Sequence, residues 1–374
     1  MKANRLVLPL LLIASAGCGG ETPVAPAVTP AASPLPPAAP AVPSPPVALP
    51  SADATTDAGA SPKLTSRSLP LPGAVAPVSF DYLAADRTNG RIYVPLSNTG
   101  SLAVLDVASG KFSHVDGFKT AERERNGKKR TFGPTAVAIG DGVAFVGDRG
   151  TDEVCVVDTK AMKISRCVKV PLRIDGVEYV PWAKEVWVTA PDDHSLTILD
   201  AAHDLKSKAV VKTDGAPEGY GKDESRGLFF TNLEDKGSTL AIDVKTHTIK
   251  STWNPGCGSD GPRGLAVDAA RGFVFVACTD HVQVLDAAHD GAVLGTIAGG
   301  QGVDNIDYVA AKGLLVITSG KASAATLVHV DDKGVPSVVA TGVTAAGSRN
   351  GVADANGNIY VIDPVAGALL VLSM

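Results

Sequence analysis

The sequence predicts an all-β fold, a seven-bladed β-propeller made of four-stranded antiparallel blades. Residues 261–297 contain four short runs rich in Val, Ile, Leu or Phe, and turn residues separate the runs. This pattern is typical of a four-stranded meander. The spacing of its copies, 42–45 residues, matches the ~40–45 residues of a propeller blade. The spacing is measured between the Asp residues that end the third run of successive copies, which are Asp158, Asp200, Asp243, Asp286 and Asp331.

The number of blades follows from the two ends of the repeat array. An earlier copy ends at Asp106, and the last copy, residues 351–374, contains only three strands. Residues 66–71 form an unpaired strand just before the first copy. Because exposed strand edges promote aggregation, we expect this strand to complete the last blade and close a ring of seven.

The repeats resemble the YVTN-type β-propeller family. The segments that carry the resemblance are residues 90–111, 133–163, 217–246 and 261–286, and together the copies cover residues 66–374. The resemblance implies a propeller domain, which we bound at residues 65–374. Propellers of this kind are scaffolds, binders and occasional enzymes, so the resemblance implies a fold and no single activity.

The N-terminus has the pattern of a secretory signal. Lys2 and Arg5 precede an apolar run at residues 6–14, which is too short to span a membrane. Residues 15–18, Ser-Ala-Gly-Cys, resemble a bacterial lipobox with Ser15 where Leu is usual, which implies a signal peptide of residues 1–18 and lipidation of Cys18. An ordinary secretory signal, in which Cys18 is removed, is the alternative. Gly19 favours an outer-membrane anchor, on the periplasmic or the surface face.

Residues 19–64 are predicted to be a disordered tether. Pro, Ala, Val, Ser and Thr dominate this stretch, and Pro at such density excludes helices and central strands. We interpret the segment as a spacer between the anchor and the propeller.

Charge argues against a nucleic-acid partner. The formal net charge of the chain is −5, whereas nucleic-acid binding proteins usually carry a basic surface. The one basic stretch is an insertion at residues 119–131, between the first and second blades. Two interpretations stay open: a solvated loop, or a cationic flap for an anionic ligand or partner surface. Its basic residues are Lys119, Arg123, Arg125, Lys128, Lys129 and Arg130, against the acidic Glu122 and Glu124.

Four cysteines follow Cys18, and an oxidising compartment favours their pairing. Cys155 and Cys167 lie on neighbouring strands of the second blade, at or near opposite positions. Cys257 and Cys278 lie at the same end of the fifth blade. We therefore predict the disulfides Cys155–Cys167 and Cys257–Cys278. The absence of a CxxC motif argues against a metal site at these cysteines.

The starts of the innermost strands predict a polar ring around the propeller axis. A water-filled channel would need polar residues at its mouth, which is one interpretation of the ring. The other is a site for a polar ligand or for Ca²⁺ or Mg²⁺, which prefer oxygen ligands such as those of Asp81, Asp175, Glu218, Asn305 and Asn350. The complete ring is Asp81, Thr135, Asp175, Glu218, Arg263, Asn305 and Asn350.

An enzymatic role has limited support in the sequence. The ring positions resemble the metal-binding turns of regucalcin-type lactonases, although those enzymes have six blades. No GxSxG motif is present, and no His falls in the ring. His194 and His281 lie on the face of the ring, where either could act as a base in a lyase similar to the propeller enzyme that opens virginiamycin B.

We therefore expect a secreted or lipid-anchored, monomeric propeller that acts as a binding or scaffold module of the cell envelope. Its ligand, a small polar molecule or an envelope protein, would sit over the ring. The alternative is a metal-dependent, lactonase-like hydrolase or lyase that uses the same ring. The membrane is expected to contact the protein only through the lipid anchor.

Overall fold

The computed structural model describes residues 61–125, 127–170 and 173–374. The predicted signal peptide with Cys18, residues 19–60 of the predicted tether, and Asn126 in the insertion lie outside the described residues. The described part of the chain forms 30 β-strands and five short 3₁₀-helices. Within it, no helix has the length and apolar character needed to cross a bilayer.

The strands group into seven four-stranded antiparallel sheets and one two-stranded hairpin, which confirms the predicted fold. β1 (Thr65–Pro70) precedes the first blade. Blade one contains β2 (Ala84–Asp86), β3 (Arg91–Leu96), β4 (Ser101–Asp106) and β5 (Lys111–Asp116), and the hairpin β6 (Ala121–Arg125) and β7 (Lys128–Phe132) follows it. Blade two contains β8 (Pro134–Gly140), β9 (Val143–Asp148), β10 (Glu153–Asp158) and β11 (Lys163–Lys169); blade three contains β12 (Val177–Val180), β13 (Glu185–Ala190), β14 (Ser195–Asp200) and β15 (Lys206–Lys212); and blade four contains β16 (Pro217–Asp223), β17 (Leu228–Leu233), β18 (Ser238–Asp243) and β19 (Thr248–Trp253). Blade five contains β20 (Leu265–Asp268), β21 (Phe273–Ala277), β22 (His281–Asp286) and β23 (Ala292–Ala298); blade six contains β24 (Val303–Val309), β25 (Leu314–Ser319), β26 (Ala324–Val330) and β27 (Pro336–Val343); and blade seven contains β28 (Val352–Ala353), β29 (Ile359–Asp363) and β30 (Ala368–Ser373).

Blade seven is completed by the N-terminal strand, as predicted. Its sheet has the order β1-β30-β29-β28, and β1 pairs antiparallel with β30, with Leu69 opposite Leu369. Beyond β1, Leu71 and Val78 pack in one apolar cluster with Ile92 of blade one and Val371 of blade seven. Hydrogen bonds and apolar packing therefore both hold the two ends of the chain together.

The second and third strands of the blades form the core. All six residues of β13 are buried, whereas β15, the outer strand of the same blade, is largely exposed. Neighbouring blades pack through aromatic as well as aliphatic side chains. Trp187 of blade three stacks on Phe229 of blade four, with the ring centroids 4.4 Å apart.

Both predicted disulfides are confirmed. Cys155 lies directly opposite Cys167 in the β10–β11 pairing, with the Cα atoms 4.0 Å apart. Cys257 is joined to Cys278, with the Cα atoms 5.1 Å apart. Cys155–Cys167 joins the third and fourth strands of blade two, and Cys257–Cys278 joins the segment before β20 to the residue that follows β21.

The recurrent Asp that predicted the blades stabilises a turn. Asp158 ends the third strand of blade two, and its carboxylate accepts hydrogen bonds from the backbone N–H groups of Lys160 and Ala161, at 2.8 and 2.9 Å. These bonds hold the pKa of the Asp158 carboxyl below its ordinary value. Stabilisation of these turns therefore accounts for the repeated Asp without a further role.

Candidate binding site on the upper face

We call the end of the propeller at which the innermost strands begin the upper face, and the opposite end the lower face. The upper face is defined by the ring of Asp81, Thr135, Asp175, Glu218, Arg263, Asn305 and Asn350. All seven lie at or just before the first strand of a blade. The structure therefore places one ring residue on each blade.

A belt of hydrogen bonds joins the blades at the level of this ring, with at least one bond at each of the seven junctions. From blade one onwards the bonds are Tyr82 N to Thr135 O (2.8 Å), Arg149 Nε to Ile174 O (3.1 Å), Val177 N to Tyr220 Oη (3.1 Å), Gly219 N to Arg263 O (3.2 Å), Gly264 N to Asp304 O (2.6 Å), Asn305 N to Asn350 Oδ1 (2.9 Å) and Asn350 Nδ2 to Asp81 O (3.1 Å). Five ring residues contribute an atom to the belt. Four of the five contribute a backbone atom and only Asn350 contributes side-chain atoms, so the belt accounts for the polar side chain of Asn350 alone.

Two glycines that follow ring residues allow this close approach. A Cβ atom on Gly219 would come within 2.4 Å of Arg263 O and Gly264 Cα of the next blade. A Cβ atom on Gly264 would come within 2.4 Å of Asn305 Cα. Glycine is therefore required for packing between blades at these positions, in addition to any role in turning the chain.

Arg149 neutralises two of the three ring carboxylates. It follows β9 in blade two, and its side chain is only 10% exposed. The guanidinium lies 3.1 Å from Asp81 Oδ2 and forms a second ion pair with Asp175. Alignment of the innermost strands cannot find Arg149, because it lies at the end of a second strand and only in blade two.

Asp81 receives further donors from blade seven. Asn350 Nδ2 donates to Asp81 Oδ1 at 2.9 Å, while Asn350 Oδ1 serves the belt. Arg349 Nη1 lies 3.7 Å from Asp81 Oδ1 and also pairs with Asp304. The structure thus brings Asp81, Asp175, Asn305 and Asn350 into one connected polar network.

The other three ring residues make separate contacts. Thr135 is buried and its hydroxyl lies 3.5 Å from Gly147 O within its own blade. Arg263 forms an ion pair with Glu234 and donates to Asp260 O at 3.3 Å, also on the upper face. Tyr82 Oη donates to Glu218 Oε2 at 3.5 Å.

The contacts that the ring residues make within the protein compete with binding of Ca²⁺ or Mg²⁺ at the ring. A cation at Asp81 and Asp175 would have to displace the Arg149 guanidinium, and both amide atoms of Asn350 already have partners. Among residues 61–125, 127–170 and 173–374, the one group of three His, Cys, Asp or Glu ligand atoms within 4.8 Å of one another contains Glu153 and the disulfide pair Cys155–Cys167. The carboxylates of the ring do not form such a group. The Ca²⁺ or Mg²⁺ site stays a prediction from the sequence.

Below the ring, the innermost strands enclose a cavity of ≈ 340 Å³ along the axis. Tyr82 and Tyr220 lie at its upper end, with ring centroids 5.3 Å apart, and burial raises the pKa of both phenols well above the ordinary value. Further down, Lys222 pairs with Glu178. The cavity therefore has neutral phenols at its mouth and paired charges within.

A second cavity, of ≈ 440 Å³, lies on the upper face beside the ring. The hairpin β6–β7 forms one wall. Arg123 holds the hairpin against blade two, because its guanidinium pairs with Asp152 at 2.8 Å and donates to Gly150 O at 3.1 Å. The insertion therefore lies on the upper face, folded onto blade two. The cavity is lined by Arg123, Glu124, Phe132, Arg149, Arg173, Ile174, Asp175, Pro191, Asp192 and Glu218.

Asp148 lies under the hairpin, and the pKa of its carboxyl is raised. It is 1% exposed, its Oδ1 accepts the N–H of Gly150 at 2.8 Å, and its Oδ2 has no hydrogen-bond partner among the described residues. Burial raises the pKa of its carboxyl from 3.8 to about 6. Because the folded state binds this proton more tightly than the unfolded state, the contribution of Asp148 to stability is greatest below pH 3.8 and is lost as pH rises through about 6.

We expect Arg149→Met to lower the free energy of unfolding by on the order of 3 kcal/mol, because it leaves two largely buried carboxylates without their cation. Arg173→Met is the matched control. Its pair with Asp192 is half exposed, so the loss should be below about 1 kcal/mol. Urea titration at pH 7 measures both values, and equal losses would contradict the role assigned to Arg149.

We expect Asp148→Asn to stabilise the protein at pH 8 by on the order of 2 kcal/mol, because the amide keeps the Oδ1 acceptor and removes a buried charge. The gain should shrink as the pH falls towards 4, where the wild-type carboxyl is protonated. Urea titrations at both pH values measure it. Asp106→Asn, at an exposed turn where hydrogen bonds lower the carboxyl pKa, should give no gain at pH 8.

Comparison with known proteins supports the fold and no finer assignment. No protein-family model and no curated protein sequence matches the chain. Solved structures do match. Hydrazine synthase of Kuenenia stuttgartiensis is similar with a TM-score of 0.66 and 14% sequence identity, over 82% of this chain and 97% of that chain.

Two further solved structures have the same architecture. A chain of the mitotic checkpoint complex is similar with a TM-score of 0.66 and 11% identity, over 88% of this chain and 97% of that chain. The β-propeller domain of Myceliophteria thermophila Cps50 (Swd1) has a TM-score of 0.63 and 10% identity, over 83% of this chain and 100% of that chain. At such low identity these similarities show that the chain has a β-propeller fold.

Proposed function

We propose that this protein is a lipid-anchored propeller of the YVTN type that binds a partner on its upper face, at the envelope of a bacterial cell. The observation that carries the proposal is the ≈ 440 Å³ cavity beside the ring, which falls in the size range of ligand sites. A hairpin that the other blades do not have forms its wall. An element added to a repeat fold and placed over a cavity is expected to serve binding more than stability.

The composition of the cavity suits recognition of a polar partner. Phe132, Ile174 and Pro191 provide apolar surface, and charged side chains surround them. Apolar surface with a few placed polar groups is typical of binding sites. Of the two partners that the sequence suggests, we propose an envelope protein, because propellers commonly act as scaffolds.

Location at the envelope rests on the N-terminal pattern and on the cysteines. The lipobox-like Ser15-Ala-Gly-Cys18 would attach the mature chain to a membrane, and residues 19–64 would hold the propeller on the order of 100 Å from it. The two disulfides support an oxidising compartment. We place the anchor in the outer membrane, on its periplasmic or surface face.

Site-specific photo-cross-linking in cells tests the binding face. With a photoreactive residue at position 173 on the rim of the cavity, we expect a discrete cross-linked product. The same residue at position 245, which lies in the exposed turn between β18 and β19 on the lower face, should give none. Gel electrophoresis with antibody detection measures the products, and equal products at both positions, or none at position 173, would refute the proposal.

Lipidation is tested separately. We expect Cys18→Ala to move the protein from the membrane fraction to the soluble fraction, because the thiol that would carry the lipid is lost. Ser15→Leu, which introduces the usual lipobox residue, should leave it in the membrane fraction. Fractionation followed by detergent phase partition measures both, and unchanged partition of Cys18→Ala would exclude the anchor.

A further inference from the structure

The outer strand of each blade is an edge strand, whose unpaired backbone groups can pair with a strand of another chain. Five of the outer strands, β1, β5, β11, β15 and β19, each contain at least one Lys or Arg. Basic side chains on an edge hinder such pairing, because the charges would have to be buried or placed beside like charges. The outer strands of blades five and six, β23 and β27, contain no charged residue and lack this protection.

The edge of β27 is covered in part by the segment that precedes β1. Leu64 N donates to Thr341 O at 2.8 Å, and Thr341 N donates to Pro62 O at 3.0 Å. Lys63 Nζ donates to Thr341 Oγ1 at 3.0 Å, which places a positive charge at this edge. β23 has no such cover, because it ends its sheet and no strand in the described part of the chain pairs with its outer edge. Among the seven outer strands, β23 alone is therefore both uncharged and uncovered.

Exposed apolar side chains border the edge of β23. Val293, in the first half of the strand, is 50% exposed. The turn before β27 packs against β23, because a Cβ atom on Gly295 would come within 2.5 Å of Pro336 Cδ. Val335, the residue before Pro336, is also 50% exposed. Exposed apolar side chains that lie close together are typical of interaction surfaces, so the surface around β23 has the character of an interface.

We propose that the protein forms a homodimer in which β23 pairs antiparallel with β23 of a second copy across a two-fold axis. This inference goes beyond the proposed function, and it replaces the monomer expected from the sequence. The dimer would extend two four-stranded blades into one eight-stranded sheet. Each copy would supply hydrogen-bond partners for the backbone groups that the other leaves to water.

Charge favours a second copy as the occupant of this edge. Five of the other outer strands carry basic residues and Lys63 lies on the edge of β27, so any of these edges would bring a cation to the uncharged β23. A second β23 brings none. Antiparallel pairing across a two-fold axis uses the same edge of both copies and leaves neither open, so association stops at the dimer.

The side chains of β23 suit such a pairing. Val293, Thr296 and Ile297 are β-branched, and pairs of β-branched residues across neighbouring strands stabilise a sheet. The contact is limited to one strand and its surroundings, which is small for a protein interface. We therefore expect a dissociation constant on the order of 10 μM.

Sedimentation velocity of the full chain in mild detergent, from about 1 to about 100 μM, tests the inference. We expect a monomer that converts to a dimer as the concentration rises. Val293→Lys should raise the dissociation constant about tenfold or more, because it places a cation on both of the paired edges. Val210→Lys is the matched control, since Val210 is 47% exposed on β15, the basic outer strand of blade three. It should change the dissociation constant less than about twofold.

Distances between spin labels locate the interface without changing Val293. A label at position 298, at the end of β23, should lie within about 30 Å of its copy in the dimer, because a strand of seven residues spans about 20 Å. Labels at position 212, at the end of β15, should lie farther apart. Double electron–electron resonance measures both distances.

Three outcomes would overturn the inference. The first is a wild type that stays monomeric over the whole concentration range, and the second is equal weakening by the two Lys substitutions. The third is a dimer in which the labels at position 298 are no closer than those at position 212. Circular dichroism shows whether the variants fold, and if Val293→Lys unfolds, the label distances decide. Cross-linking at position 173 tests the proposed function independently of the dimer.

Discussion

The structure depends on the antiparallel pairing of β1 with β30. A propeller blade buries its faces only against neighbouring blades, so an incomplete ring would expose two apolar sheet faces and a free strand edge. Here residues from opposite ends of the described chain share one sheet, and the cluster around Leu71 and Val78 seals the junction with blade one. Every residue on the axis owes its position to this closure.

Closure also brings polar backbone groups together at the mouth of the channel. Blades that converge on an axis bring backbone groups together at the starts of their innermost strands, and buried backbone groups need partners. The belt supplies a bond at each junction, and Asn350 alone serves two junctions through the two ends of its amide. Carboxylates at this level need cations, and Arg149 provides one to Asp81 and Asp175 together. A polar ring at a propeller mouth is thus not by itself evidence of a ligand.

The repeated parts of the molecule could be predicted from the sequence, and the asymmetric parts could not. The spacing of the terminal Asp residues predicted the blades, and strand pairing within a blade predicted Cys155–Cys167, because both rest on local periodicity. Alignment of strand starts predicted the ring for the same reason. Arg149 was missed because its partners lie in blades one and three, and nothing in a repeat specifies contacts between unlike positions. The position of Arg123 opposite Arg130 depends on the register of an insertion that the repeat does not describe.

The hairpin differs from the rest of the fold in how its charges are arranged. Arg123 lies opposite Arg130 across the two strands, and Asp152 of blade two pairs with Arg123 from outside the hairpin. The ion pair with Asp152, the backbone pairing and the burial of Phe132 together offset the repulsion between the two arginines. The binding site is sought at the hairpin because this addition to the repeat lines a cavity, whereas the polar side chains of Asp81, Asp175 and Asn350 already contact partners within the protein.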